Sequence, residues 1–276
     1  MSNYLIQGET LTNIANAIRT KTGKTDSIPT ENMASEISDL PIYPLYDGAV
    51  EEINLYYRTN SSNGYSASGL GNVTTTDIII PNTYNGKPVN IIYASGFKQT
   101  NITSLRCGSN LTTISGSAFL GCASLTSVII SDSVTDIGIA AFQNCTELSN
   151  LVLGRNVISI GTNCFQATKI TNVDIPDGVQ YIQTSIFAKC ANLERVKFGN
   201  NVKSIYSYAF QNCTSAKLYD FRKATKIPNL DATSLLNIPT TCKIVVPDSL
   251  YDQWIVATHW PTYASQIVKA SEYTEA

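Results

Sequence analysis

From about residue 92 to 227 the apolar positions recur every 22 or 23 residues, a longer period than that of a single helix or strand. Phenylalanines mark it: Phe97, Phe119, Phe142, Phe165, Phe187 and Phe210, spaced 22, 23, 23, 22 and 23 apart. An isoleucine stands five residues before each, at Ile92, Ile114, Ile137, Ile160, Ile182 and Ile205. Five or six residues after the first five phenylalanines comes Ile102, Leu125, Leu148, Ile170 or Leu193, and a strand-like run opens there. Examples are Leu125-Thr-Ser-Val-Ile-Ile and Leu193-Glu-Arg-Val-Lys-Phe. Self-similarity of this length signals a solenoid, an array or a propeller.

The unit is shorter than a helix–turn–helix repeat of about 34 residues or a four-stranded blade of about 40–45, and has the length of one leucine-rich-repeat coil. Val128 and Ile130, two apart, share one side of a strand. Parallel stacking of such strands buries ladders of Leu, Val and Ile. The fold class expected is therefore a repeat solenoid of leucine-rich-repeat type, rich in parallel sheet, with short helical turns. The Ala-Phe-x-x-Cys segment should form one such turn on the opposite wall, its Phe building an aromatic ladder through the core.

The ends differ from the repeats. Residues 1–41 predict two short amphipathic helices, one carrying Leu11, Ile14, Ala15 and Ile18, the other Met33, Ala34, Ile37 and Leu40. Two helices of about ten residues hold no core alone, so this segment is read as an attachment or oligomerisation element. Gly23-Lys24-Thr25 is no phosphate loop, because Ile18 stands where the motif needs glycine. Residues 42–91 read as a β-rich N-terminal cap and first coil, with Asn60-Ser-Ser-Asn-Gly64 as a hairpin turn; its tyrosines are alternatively a contact patch. Residues 92–241 form the solenoid. Residues 242–276 read as a strand and helical cap, with Asp248 or Ser249 capping a helix that carries Leu250, Trp254 and Ala257, and Trp260, Tyr263 and Ile267 on a second helix.

Composition narrows the partners. Lys and Arg number 19 against 21 Asp and Glu, a net charge of −2, which excludes a strongly basic nucleic-acid binder and a polybasic membrane anchor. Charged residues are 14% of the chain against an ordinary value of about 25%. A surface rich in hydroxyls, amides and 15 tyrosines suits stacking and hydrogen bonding. The apolar runs are too short for a membrane-crossing helix. The first residues, MSNYLIQGET, lack the basic and apolar regions of a secretion signal, so the expectation is a chain that acts inside a cell, leaves by another route such as a virus particle, or has had its signal removed. Of seven cysteines, Cys122, Cys145, Cys190 and Cys213 each follow the repeat Phe by three residues, where Thr100 and Thr168 stand in other units. A slot shared by Cys and Thr is small and buried, so free core thiols are expected, with cross-coil oxidation geometrically open.

Ile137-Gly-Ile-Ala-Ala-Phe-Gln-Asn-Cys-Thr-Glu-Leu148 resembles the repeat of the BspA-like leucine-rich repeat family of bacteria and their viruses. The resemblance spans roughly residues 65–270. It takes in a first-coil segment from Gly69 to Val89 and a last one from Cys242 to Trp254. It implies surface-displayed binding proteins with diverse targets, and hence an adhesin-like role. Residues 11–26 resemble a short module of tail and fibre proteins in phages of Gram-positive bacteria, which implies a virion or bacterial-surface location; a cytoplasmic one stays open.

Within each strand the residue between two inward positions must face out. Those residues are Arg106, Ile129, Val152, Asp174, Lys197 and Asp220. With Ser104, Ser127, Asn150, Asn172 and Arg195 they draw a stripe, apolar in the middle coils and charged towards Arg222. The candidate ligand-binding set is Arg106, Ile129, Val152, Asp174, Arg195, Lys197 and Asp220, since repeat proteins bind on such faces. Asp174 and Asp220, two coils and about 10 Å apart, are no convincing catalytic pair. His259, the single histidine, reads as a polar cap residue without a nucleophile placed beside it. No catalytic motif, metal-ligand spacing or cofactor signature is present, so the chain is not read as an enzyme. The function expected is a binding module for a protein or glycan target at a bacterial surface or virion, with self-association or virion attachment through residues 1–41. The alternative is a structural or oligomerising component without a ligand of its own.

Overall fold

The structure is a computed structural model that describes residues 55–71 and 76–274. The two-helix reading of residues 1–41, with its phage-module resemblance, lies outside them.

Each coil has three walls. On the first, three-residue strands pair in parallel. Asp77–Ile79, Ser104–Arg106, Ser127–Ile129 and Asn150–Val152 make one sheet. Asn172–Asp174, Arg195–Lys197, Leu218–Asp220, Lys243–Val246 and Ile267–Lys269 make the next. The second wall carries two-residue strands around the repeat isoleucine, from Thr113–Ile114 to Asn229–Leu230. The periodicity is thus a parallel solenoid because each unit offers one apolar strand residue to each sheet, and every inward position meets its own kind in the next coil.

The third wall corrects the expectation of a helical turn. The residues two before and two after each repeat phenylalanine have φ between +54° and +71°, from Ser95 and Gln99 to Tyr208 and Asn212. This breaks any helix. Alternate N–H groups then bond within the coil and to the next one. The Ala118 and Cys122 N–H groups donate back three residues, at 3.3 and 3.1 Å. The Ser117, Phe119 and Gly121 N–H groups donate to Ile139, Ala141 and Gln143 carbonyls, each at 2.8 Å. A left-handed non-glycine residue costs about 1 kcal/mol, and the cross-coil bond it permits offsets that cost.

Inside this wall the phenylalanines stack as expected, with neighbouring ring centroids 5.2 to 5.6 Å apart and planes within 17°. All six rings are buried. The strand pairing of both other walls stops between Val152 and Asn172 and between Ile160 and Tyr181. The third wall crosses that seam intact, through Phe165 N–H to Ile186 carbonyl at 2.9 Å and the Phe165–Phe187 stack at 5.4 Å. At one corner the coils approach so closely that alternate units carry glycine. A Cβ at Gly108, Gly154 or Gly199 would lie 2.6, 2.2 or 2.6 Å from the carbonyl oxygen of Ile80, Ser131 or Pro176.

At the N-terminal end, Leu55–Thr59 and Tyr65–Leu70 form the expected hairpin through Asn60–Gly64. Tyr57, Tyr65 and Tyr84 pack together, Tyr57 and Tyr84 stacked at 4.0 Å, while Tyr56 stands out into solvent. The C-terminal cap departs from the sequence reading. Its helices are single turns, Asp248–Leu250, Tyr251–Trp254 and Trp260–Tyr263, without side-chain caps. Asp248 instead accepts from the Ser271 N–H at 3.0 Å. Ile267 is not on a helix; β-branched Ile267-Val268 completes the last sheet beside Ile244-Val245. Trp254 and Trp260 close the core, Trp260 Nε1 donating to the Pro228 carbonyl at 3.0 Å.

Candidate functional site

The first wall holds the residues singled out from the sequence, in register. Ile79, Arg106, Ile129 and Val152 run side by side, then Asp174, Lys197, Asp220 and Val245 beyond the seam. Arg106 and Asp174 are exposed, and Ile129, Val152, Arg195 and Lys197 are half-buried. The row beside it is knit by polar side chains: Asp77 Oδ1 accepts from Ser104 Oγ at 2.8 Å and Thr103 Oγ1 at 2.9 Å, which holds its carboxyl below the usual range.

Asp220 corrects the reading of an open stripe: it is 6% exposed. Arg222, two residues on, folds back across it with Nε 3.0 Å from both carboxylate oxygens and Nη2 2.7 Å from Oδ2. The Tyr273 ring lies 6.0 Å from that guanidinium. Burial pushes the Asp220 carboxyl up, but the Arg222 hydrogen bonds and charge outweigh it and hold the group low. Lys197 lies between Asp174 and Asp220 in the register, so the two carboxylates do not form a pair.

The cysteine slot is structural. All seven cysteines are free thiols. Cys122, Cys145, Cys190 and Cys213 each donate to the carbonyl of the phenylalanine one coil before, at 3.0 to 3.3 Å, and Thr168 Oγ1 meets Cys190 Sγ at 3.2 Å. Burial pushes the Cys190 thiol up to about 11 and Cys107 to about 12. The hydrogen bond to Cys122, with burial, raises Cys145, and the same bond holds Cys122 below its partner, with both thiols buried. Among the described residues no group of three or more His, Cys, Asp and Glu side chains could hold a metal ion, and no helix is long and apolar enough to cross a membrane. His259, exposed and left-handed at φ 68°, joins the cap turns.

The exposed apolar side chains gather elsewhere, on the second wall and the turn that leaves it. Tyr93, Ile139, Ile158, Tyr181, Tyr206 and Tyr208 are exposed there, by 40 to 62%. Tyr181 occupies the position of Thr113, Asp136, Ser159 and Ser204, and Tyr206 that of Ser115, Gly138, Gly161 and Gln183. Tyr208 takes the left-handed position held elsewhere by Ser95, Ser117, Ala140, Asn163 and Ser185. Sequence reasoning missed this cluster because it followed one outward row. The same alignment carried a signal, aromatic residues in rows otherwise small and polar.

Comparison with known proteins agrees with this architecture. The family model of the BspA type leucine rich repeat region matches six copies over residues 89–231, just over half of the chain. A search of curated proteins returns no match. Among solved structures, a leucine-rich repeat protein from Bacteroides ovatus is 26% identical over 73% of this chain and 55% of its own, with a TM-score of 0.57. A leucine rich cell surface protein from Faecalibacterium prausnitzii is 24% identical over 85% of this chain and 56% of its own, with a TM-score of 0.56. A leucine-rich repeat protein from Eubacterium ventriosum gives 24%, 67%, 50% and 0.55 for the same quantities. The chain thus spans about half the length of these relatives. With six family repeats threaded on one phenylalanine stack, the chain belongs to the BspA type leucine rich repeat family.

Proposed function

We propose that this chain is a non-enzymatic binding module, a solenoid that recognises a protein or glycan target at a bacterial or virion surface. The observation that carries the reading is a contrast between inward and outward positions. The inward ones repeat the same residue types coil after coil, while the outward ones place exposed Tyr and Ile where neighbouring coils have small or polar residues such as Ser, Thr, Gly and Gln. Exposed aromatic side chains on a weakly charged surface favour contact through stacking and hydrogen bonding. Extended faces of repeat proteins are their usual contact surfaces.

The test is binding of labelled full-length protein to intact Gram-positive cells, beside a panel of animal matrix proteins. Saturable binding to cells alone supports recognition of a bacterial surface. Binding to matrix proteins alone supports a host adhesin. Binding to neither overturns the module reading and favours the structural role, in which removing residues 1–41 changes the oligomeric state.

A further inference from the structure

We infer that Tyr181, Tyr206 and Tyr208 form a platform for a neutral carbohydrate. The inference rests on the binding-module reading and names its ligand class.

The fold itself does not ask for these rings. Sister coils do without an aromatic ring at each position: Ser159 or Ser204 for Tyr181, Ser115, Gly138, Gly161 or Gln183 for Tyr206, and Ser95, Ser117 or Ser185 for Tyr208; only Tyr93, in the first coil, repeats the ring of the Tyr206 row. Tyr208 goes further, because its φ of 60° is a conformation that a bulky side chain enters at a cost. An aromatic residue held there and 40% exposed keeps much of its ring in solvent at a position where sister coils use small residues. That combination is characteristic of a contact residue.

Geometry and chemistry select the ligand. The Tyr181 and Tyr206 rings are 6.2 Å apart with planes within 16°, so two aromatic faces lie nearly parallel on adjacent coils. Gln180, Gln183, Ser204 and Ser207, all half-buried, supply neutral donors and acceptors on the same two coils, and the two exposed charges beside them, Lys203 and the Ser207-bonded Asp231, are opposite in sign. A sugar ring has an apolar C–H face bounded by hydroxyls. It is matched by a ring face, whose quadrupole attracts the C–H hydrogens, and by amide and hydroxyl groups around it.

Size suits a small ligand. An aromatic side chain presents about 150–250 Å² in all. At 40 to 43% exposure the three rings together offer about 200–300 Å², a face that a few sugar units can cover.

The experiment is affinity electrophoresis of the full-length chain through gels containing dextran, laminarin or galactomannan. It compares wild type, the triple variant Tyr181→Ser, Tyr206→Ser, Tyr208→Ser, and a control, Lys98→Ala, at an exposed third-wall position. The serines come from sister coils, so the triple variant should keep its circular dichroism and melting temperature. The expected result is retardation of wild type in at least one gel, weakened at least about ten-fold in the triple variant and unchanged in Lys98→Ala. Equal retardation of wild type and triple variant, or no retardation in any gel, overturns the platform. Cell binding separates the two levels. A triple variant that binds intact cells as wild type does overturns the platform but keeps the module. Wild type that binds neither cells nor matrix proteins overturns the module beneath it.

Discussion

The inside and the outside of the coils obey opposite rules. Inside, Phe97 through Phe210 occupy one slot with near-parallel rings, and a change at any rung is felt by the rungs on both sides. Outside, equivalent positions hold residues as different as Ser115, Gln183 and Tyr206, and none of them is fully buried. The difference teaches where to look for function in a repeat protein. Uniform positions report how coils stack, whereas a departure from the row's own consensus reports what one coil does beyond stacking.

The strongest break in this contrast is Phe142→Ala. It removes a ring stacked at 5.2 and 5.5 Å on its neighbours, and the cost expected is about 3–5 kcal/mol by urea unfolding. A loss below about 1 kcal/mol would mean that the ladder is not a cooperative core. Next comes Arg222→Ala, which strands the buried Asp220 carboxylate and is expected to cost about 2–3 kcal/mol at neutral pH. The pH dependence follows from the sign of the shift. The folded carboxyl is held below its unfolded value, so its stabilisation is complete above about pH 4 and is lost as pH falls through the folded value. Unfolding at pH 7 and at pH 3 should show that loss in wild type and a smaller one in Arg222→Ala. Cys190→Thr, which copies Thr168 one coil back, should cost less than about 1.5 kcal/mol; a larger loss would show that the slot distinguishes sulfur from oxygen. The smallest change is expected outside. Tyr208→Ser should move stability by less than about 0.5 kcal/mol, read as an unchanged melting temperature, because Ser95, Ser117 and Ser185 hold the same left-handed turn in sister coils. A drop would mean that the exposed ring supports the fold and would weaken the case for a platform.

The interior was legible in the sequence because stacking constrains it at every unit. The phenylalanine rungs, the isoleucines of the second wall and the small Cys/Thr slot all stood out by spacing alone. The turns were misread because Ala-Phe-x-x-Cys has helical propensity, while the left-handed residues that flank it, such as Ala140 and Lys189, are set by hydrogen bonds to another coil. Asp220 was misread because its partner Arg222 sits in the following corner, where no alternation rule applies. Ile267 was assigned to a helix because apolar spacing in so short a segment fits either element, and only the open edge of Lys243–Val246 decided for a strand. The tyrosine cluster was written in the alignment but on a row other than the one followed.

The alternating corner glycines carry a consequence for how such a gene can change its length. Gly108, Gly154 and Gly199 lie 46 and 45 residues apart, with Ser131 and Pro176 at the intervening corners. Where a glycine meets its neighbour's carbonyl, a side chain would collide. Deleting or duplicating a single coil would set two glycines, or two larger residues, against each other. A recombination event that gains or loses two coils at once leaves every corner with its original neighbour. The inheritable module of this chain is therefore the pair, although the eye and the phenylalanine ladder both count single turns.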